Sequence, residues 1–476
     1  MNTQPTQSRR DFLFQSYLGL GGIALIDLLA QDIAADTSAT NPLTPKPPHF
    51  LGKAKRCIFL FMEGGVSQMD TFEHVPALAK LDGKQMPTNS DTTGAVGHLG
   101  SGPNRVIASP YKFARYGESG HWMSQLFPHL STCSDELAWI HGIELGSSNH
   151  APAVYQALTG NMLPGHASIG SWVTYGLGTE NRNLPGFVVV GRGTPAIGGA
   201  AQWGNGFLPA AYQGTLFRTG ATPIVNLKPR PGQSLARQRN ELNLLRWFNT
   251  RHAAQRSSTS ELEGRIAAYE VAFKMQTEAP ELIDISSESV ATKKLYGIDD
   301  PATGTFGRQC LLARRMVERG VRFVKLLHGS GKPWDQHGGI KGRLPQLCKE
   351  VDQPITGLLQ DLRSRGLLED TLVVWASEMG RTPWDSNLTQ KDPGRDHNNY
   401  SLVMWMAGGD VRGGASHGTM DEWSLRSVDQ HVHIRDVHAT LLHLMGLDQD
   451  RLHFLHAGRF EKLTDFGGRV IREILA

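Results

Sequence analysis

Cysteine is scarce. The chain has four in 476 residues, Cys57, Cys133, Cys310 and Cys348, far apart and without a Cys-x-x-Cys pair. That pattern excludes a zinc knuckle and a dithiol redox motif. Cys57 falls in an apolar run and Cys310 on the apolar side of a helical pattern, so buried free thiols are expected. Charge of one sign is also lacking: the formal net charge is +3, with no basic stripe interleaved with aromatics. A nucleic-acid surface is therefore not expected. Beyond the N-terminal region no uncharged apolar run approaches the roughly 20 residues a membrane-spanning helix needs, so no stable transmembrane segment is expected. Internal repeats and low-complexity tracts are missing too, which argues against a solenoid or a disordered linker protein. The length suits one large α/β domain or two smaller ones.

The N-terminus carries the first positive signal. Ser8-Arg9-Arg10-Asp11-Phe12-Leu13 precedes an uncharged run from Phe14 to Ile26, which ends at Asp27 and the polar stretch Gln31 to Thr40. Paired arginines ahead of a short, glycine-containing apolar run predict a twin-arginine export signal over residues 1–39. Its partner would be the twin-arginine export machinery, and its destination periplasmic or secreted.

Nearly continuous apolar runs at Cys57–Met62, Phe187–Val190, Val321–Leu327, Leu372–Ala376 and Leu402–Ala407 predict central strands covered on both faces. Helical periodicity lies between them: Leu311, Leu312 and Val317, then Leu344, Leu347, Val351, Ile355, Leu358, Leu359 and Leu362. Helix then strand, repeated, indicates an α/β class. Residues 197–232 are rich in Gly and Pro and read as a long loop, followed by two charged helices near Leu235–Thr250 and Glu261–Gln276. Together they are expected to form an insertion at about 192–290 that caps the sheet.

Ligands of open α/β sheets sit beyond the carboxyl ends of the strands, and that is where the polar clusters fall. Glu63-Gly64-Gly65-Val66-Ser67-Gln68-Met69-Asp70, Trp334-Asp335-Gln336-His337 and Ser377-Glu378-Met379-Gly380-Arg381 each follow a strand; Arg395-Asp396-His397-Asn398 precedes one. Carboxylates and imidazoles converging on one rim suit a divalent metal, Zn, Mn, Mg or Ca, able to polarise a phosphoryl or sulfuryl oxygen.

The order of these motifs resembles a known family over most of the chain after residue 50. The segment Gly366–Gly380, with its strand ending in Ser377-Glu378-Met379-Gly380, is similar to the sulfatase segment ending Ser-Asp-His-Gly. His433–Leu447, with Asp436, Thr440, Leu441, Leu442, Leu444 and Gly446, is similar to the C-terminal sulfatase helix. Asn149–Gly160 resembles the sulfatase signature Cys-x-Pro-Ser-Arg and the helix after it, with Pro152 and Gly160 in register. With Gly64-Gly65, Trp334-Asp335, His337 and Glu378 to Pro383, the whole resembles an uncharacterised family of exported sulfatase-like proteins, domain of unknown function 1501, within the alkaline phosphatase and sulfatase superfamily.

The resemblance implies an alkaline phosphatase-like three-layer α/β/α sandwich, a central, mostly parallel sheet, over residues 50–476. It also exposes departures. His150 stands in register with the sulfatase nucleophile and Val154 with the signature arginine, and formylglycine cannot form from histidine. Glu378 stands for a metal-binding Asp, and Met379 replaces the His beside it. The resemblance implies metal ligands at Asp335, His337 and His397, with His150, Glu378 and Asp396 completing the shell or assisting catalysis, and His150, Glu378 and Arg381 as catalytic residues. The expected function is a metal-dependent hydrolase of sulfate or phosphate esters, with an anionic ester or glycan as substrate. The alternative is a non-catalytic relative that binds an anionic glycan or a cell-envelope partner in the same cleft.

Replacing Arg9 and Arg10 together by Lys is expected to leave folded precursor in the cytoplasm, because the arginine pair itself is read. Fractionation and immunoblotting check this; unchanged export would remove the signal.

Overall fold

The computed structural model describes residues 42–87, 105–192, 197–219, 223–225, 227–229, 232–254, 260–329, 331–385 and 391–476. The predicted export signal at 1–39 lies outside the described residues.

Apolar runs without helical spacing become the central strands, and among the described residues nine strands make one sheet. In chain order these are β1 (Arg56–Phe61), β2 (Ala138–Glu144), β3 (Phe187–Gly191), β4 (Thr215–Arg218), β5 (Phe323–Leu327), β6 (Thr371–Ala376), β7 (Leu402–Ala407), β8 (Ser416–His417) and β9 (Val432–His433). Their spatial order is β8-β2-β7-β6-β1-β5-β3-β4, with β9 also paired to β2. The block β6-β1-β5-β3-β4 is parallel throughout. β7 runs antiparallel to both of its neighbours, β6 and β2.

The main helices are α1 (His150–Thr159), α2 (Ile169–Leu177), α3 (Leu235–Ala254), α4 (Ser260–Ile283), α5 (Gly304–Glu318), α6 (Arg343–Ser364) and α7 (Ile434–Leu444). Side chains alternate across each strand, and the alternation divides the core. Cys57, Phe59 and Phe61 of β1 pack with α1, α2 and α7, whereas Ile58 and Leu60 pack with α5 and α6. The result is a three-layer α/β/α sandwich with a mixed, mostly parallel sheet. On α6 the predicted apolar positions, Leu344 to Leu362, are all buried. All four cysteines are buried and free. Among the described residues no helix is long and apolar enough to cross a membrane.

Two strands differ from the sequence reading. Residues 197–232, expected as loop, contain β4, the sheet's edge strand, which pairs with β3 alone. Four residues, Thr-Leu-Phe-Arg, are too few to show a period. β2 was not expected because His141 and Gly142 interrupt its apolar run, although it lies inside the sheet. Both charged helices are present, as α3 and α4.

α7 is fixed to α1 by a buried histidine: His438 Nε2–H donates to the Ala157 carbonyl at 2.8 Å. Burial pushes the His438 pKa down from 6.5 to about 4. A histidine depressed in the fold binds its proton more readily once unfolded, so its stabilising effect is present above pH 6.5 and is lost as pH falls toward 4. His438→Gln keeps a donor and removes the titration. Melting temperatures between pH 7 and 4.5 are expected to fall less steeply in this variant than in the parent; equal slopes would refute the assignment.

Candidate metal centre

Three neighbouring strand ends build the site. β1 runs into Glu63-Gly64-Gly65, and both glycines adopt left-handed backbone, φ 124° and 83°. That turn aims the Gly64 N–H at Glu378, just past β6, whose two carboxylate oxygens accept it at 2.8 and 3.0 Å. Ser377 Oγ adds a bond to Glu378 Oε2 at 3.2 Å. The same turn lets the loop after β5 come close: Trp334 N–H donates to the Glu63 carbonyl at 3.2 Å, which seats Asp335 beside Gly64.

Asp335 is the centre of the cluster. Its Oδ1 lies 2.8 Å from Arg381 Nη2, 3.1 Å from His397 Nε2 and 3.3 Å from His337 Nε2. Its Oδ2 lies 2.5 Å from Lys332 Nζ and 3.1 Å from His150 Nε2. Burial opposes ionisation of Asp335, but the surrounding imidazoles of His150, His337 and His397 and the charge of Arg381 hold its carboxyl far below the usual range.

Each imidazole turns Nε2 toward Asp335 and Nδ1 toward an acceptor. His397 donates Nδ1–H to the Ser148 carbonyl at 2.7 Å, which leaves the Nε2 lone pair facing the cluster. His150 Nδ1 meets Glu378 Oε1 at 2.9 Å, and His337 Nδ1 lies 3.3 Å from Asp396 Oδ1. Such outer partners fix the tautomer and orientation of metal-binding histidines. Burial lowers the His397 pKa. For His150 burial acts in the same direction, but Asp335 and Glu378 outweigh it and the pKa is raised. Asp335 and Asp396 raise His337 to about 9.

His150 is the first residue of α1, whose N-cap Asn149 makes no side-chain capping bond. His397 comes from a short ribbon in which Gly380–Arg381 pairs with His397–Asn398. A buried bidentate pair, Arg395 to Asp70 at 2.6 and 3.0 Å, holds that ribbon down.

His150, Asp335 and His397 offer ligand atoms that all lie within 4.8 Å of one another, and these residues could hold a metal ion. His150 Nε2 is buried without a hydrogen-bond partner although Asp335 Oδ2 is 3.1 Å away. An imidazole nitrogen aimed at a carboxylate off the hydrogen-bond line is the arrangement a shared cation would satisfy. The donor set therefore fits a metal.

The sequence reading distributed some roles differently. His150, expected to join the metal's shell or assist catalysis, lies in the ligand group. Glu378, expected as ligand and catalytic residue, spends its oxygens on Gly64, Ser377 and His150. Asp396 reaches the cluster through His337. His337 contacts His397 Nε2 at 3.0 Å but is the most exposed of the three histidines. Arg381, expected as catalytic, is buried under Asp335, where it donates to the carbonyls of Gly65, Gly64, Arg395 and Trp334. It supplies a fixed counter-charge to Asp335. Two contributors were not anticipated. Lys332 was in view three residues before Asp335, whereas Ser148 acts through a backbone carbonyl and leaves no side-chain signal.

The model of a family described as protein of unknown function, DUF1501, matches residues 54–475. No curated protein matches the sequence. Among solved structures, an alkaline phosphatase from the Antarctic bacterium TAB5 is 11% identical, with 84% of this chain and 100% of that one covered and a TM-score of 0.34. The lipoteichoic acid synthase LtaP from Listeria monocytogenes is 9% identical over 86% of this chain and 78% of that one, at 0.34. The PsFucS1 sulfatase from Pseudoalteromonas sp. is 11% identical over 83% and 68%, at 0.30. Likenesses this loose transfer neither residues nor activity.

Gly64→Ala tests the geometry. An added Cβ would sit 2.3 Å from the Asp335 backbone nitrogen, at a φ that disfavours side chains. Left-handed strain alone costs about 1–3 kcal/mol, and the clash adds to it. A denaturation midpoint clearly below the parent's is expected; a parent-like midpoint would show that the two loops do not meet there.

Proposed function

Because the chain belongs to the DUF1501 family, whose description leaves its activity open, we propose a function from the site itself: a metal-dependent hydrolase acting on sulfate or phosphate esters. The observation that carries this reading is the common orientation of the imidazoles of His150, His337 and His397, each with Nδ1 against an acceptor and Nε2 toward Asp335. His150, Asp335 and His397 are the proposed ligands, with His337 facing the same point from the more exposed side.

Two or three nitrogen donors with one carboxylate favour zinc or another first-row transition ion over calcium or magnesium, which prefer all-oxygen shells. A bound divalent ion would act as a Lewis acid toward an ester oxygen. Arg381 balances Asp335, and Glu378 and the Ser148 carbonyl hold His150 and His397 in their tautomers. At the start of α1 the N–H groups of His150 and Ala151 favour an anionic group. With His150 turned to Glu378 and Asp335, attack falls to water. His337 Nε2, backed by Asp396, is placed to take or return a proton. The route to this site's compartment is the proposed twin-arginine signal at 1–39, with a periplasmic or secreted destination.

Metal analysis of the purified protein, followed by aryl sulfate and aryl phosphate assays, tests the reading. About one equivalent of a transition metal is expected in the parent. His397→Ala and His150→Ala should lose it, and Glu378→Gln should weaken metal binding about 10- to 100-fold, as loss of an orienting partner does. A parent that neither retains nor takes up metal, or a His397→Ala variant with parent-like content, would overturn it.

A further inference from the structure

A cavity lies on the same rim as the metal centre. Its volume is about 570 Å³, and its walls include Arg192, Thr219, Asp299, Asp300, Thr305 and Arg308. Arg192 is the first residue after β3 and Thr219 the first after β4. Both stand at carboxyl ends of strands parallel to β1, which is where ligands of open α/β sheets sit.

The sheet sets the distance between the two sites. β5, β3 and β4 follow β1 in order, and neighbouring strands are about 4.8 Å apart. Arg192 therefore stands about 10 Å along the rim from the end of β1, and Thr219 about 15 Å. A ligand seated in both places spans two or more sugar-sized units.

The cavity's chemistry is specific. Among the described residues neither Arg192 nor Arg308 forms an ion pair or a hydrogen bond, and both are exposed. Asp300 is engaged on both oxygens: Oδ1 accepts from Ala302 N at 2.7 Å and Oδ2 lies 3.7 Å from Lys349 Nζ. Arg192 stands near enough to Glu350 for its charge to lower that carboxyl's pKa, yet both exposed guanidiniums keep forked donors to offer a sulfate or phosphate. The hydroxyls of Thr219 and Thr305 and the carboxylate of Asp299 beside them suit ring hydroxyls. The volume falls within the range of small-ligand sites, about 300–1,000 Å³.

We propose that this cavity is a second subsite, which holds an anionic substituent of an oligosaccharide while the ester to be cleaved lies at the metal centre. The inference rests on the proposed hydrolase reading for the position of the reacting ester; the cavity itself does not depend on it. A monoester would occupy the metal centre alone, and a polyanionic oligosaccharide both places.

Calorimetric titration of zinc-loaded protein with inorganic sulfate and with a sulfated tetrasaccharide tests this. The tetrasaccharide is expected to bind the parent at least tenfold tighter than sulfate. Arg192→Ala with Arg308→Ala should remove about tenfold of that margin and leave sulfate binding unchanged. Both arginines are exposed, so folding is not at risk, and a matching melting temperature verifies it. Equal tetrasaccharide affinity in parent and double variant would overturn the subsite while leaving the metal centre intact. If the parent binds no zinc, yet the double variant still loses tetrasaccharide affinity after chelator treatment, the subsite stands and the hydrolase reading falls.

Discussion

The pairing of Asp335 with Arg381 is the interaction on which the rest of the site depends. A carboxylate placed at the converging ends of β1, β5 and β6 loses most of its hydration, and desolvation of an ion in a protein costs several kcal/mol. Arg381 offsets that loss at 2.8 Å. Its own burial is made tolerable by bonds to four backbone carbonyls. Those carbonyls belong to the loops after β1 and β5 and to the ribbon carrying His397, so one guanidinium orders three segments while neutralising the residue they surround. Lys332, half exposed and held through the same carboxylate, has no comparable anchoring. The difference separates a structural cation from an exchangeable one.

Topology explains why residues so distant in sequence meet. β1 lies between β5 and β6 in parallel register, so the three following loops leave the sheet side by side on one edge. Parallel strands deliver their successors to the same rim, and glycine decides how closely they approach. At Gly64 any side chain would strike the Asp335 backbone, and at Gly380 it would strike Ser401. The glycines of the Glu63-Gly64-Gly65 and Glu378-Met379-Gly380 segments are thus requirements of packing at a crowded junction, and they are inseparable from the placement of Asp335 and Glu378.

This accounts for what could be read from the sequence. Central strands such as β1 and β6 were legible because burial on both faces demands unbroken apolar runs, and α6 because one buried face imposes a period on Leu344 to Leu362. β2 and β4 were not. Gly142 of β2 has φ 63°, a local departure that hides an internal strand, and β4 is too short for any period. The convergence of Asp335, His337, Glu378, Asp396 and His397 was legible in their clustering after or before strands. Roles were not, since a role depends on which atom faces which. Glu378 and Asp335 are both acidic residues near strand ends; only the direction of the Gly64 N–H separates an orienting carboxylate from a central one.

A second charge system below the rim shows how the fold treats ions that the centre does not use. Lys325 lies on β5, buried, with its ammonium 2.7 Å from Gln202 Oε1 and 4.7 Å from the Phe61 ring centroid. The Gln202 amide donates to Glu63 Oε1 at 2.5 Å, and the Ile197 N–H donates to the same oxygen at 2.7 Å. Burial, with the nearby Glu378, pushes Glu63 up to about 8, while burial pulls Lys325 down to about 7. Both shifts favour the neutral forms. Gln202 bonds to both partners and tolerates either arrangement, because its carbonyl can accept from an ammonium or an amine and its N–H can donate to a carboxylate or a carboxyl. Asp335, whose partner Arg381 cannot give up its proton, remains the fixed negative charge around which the histidines are arranged.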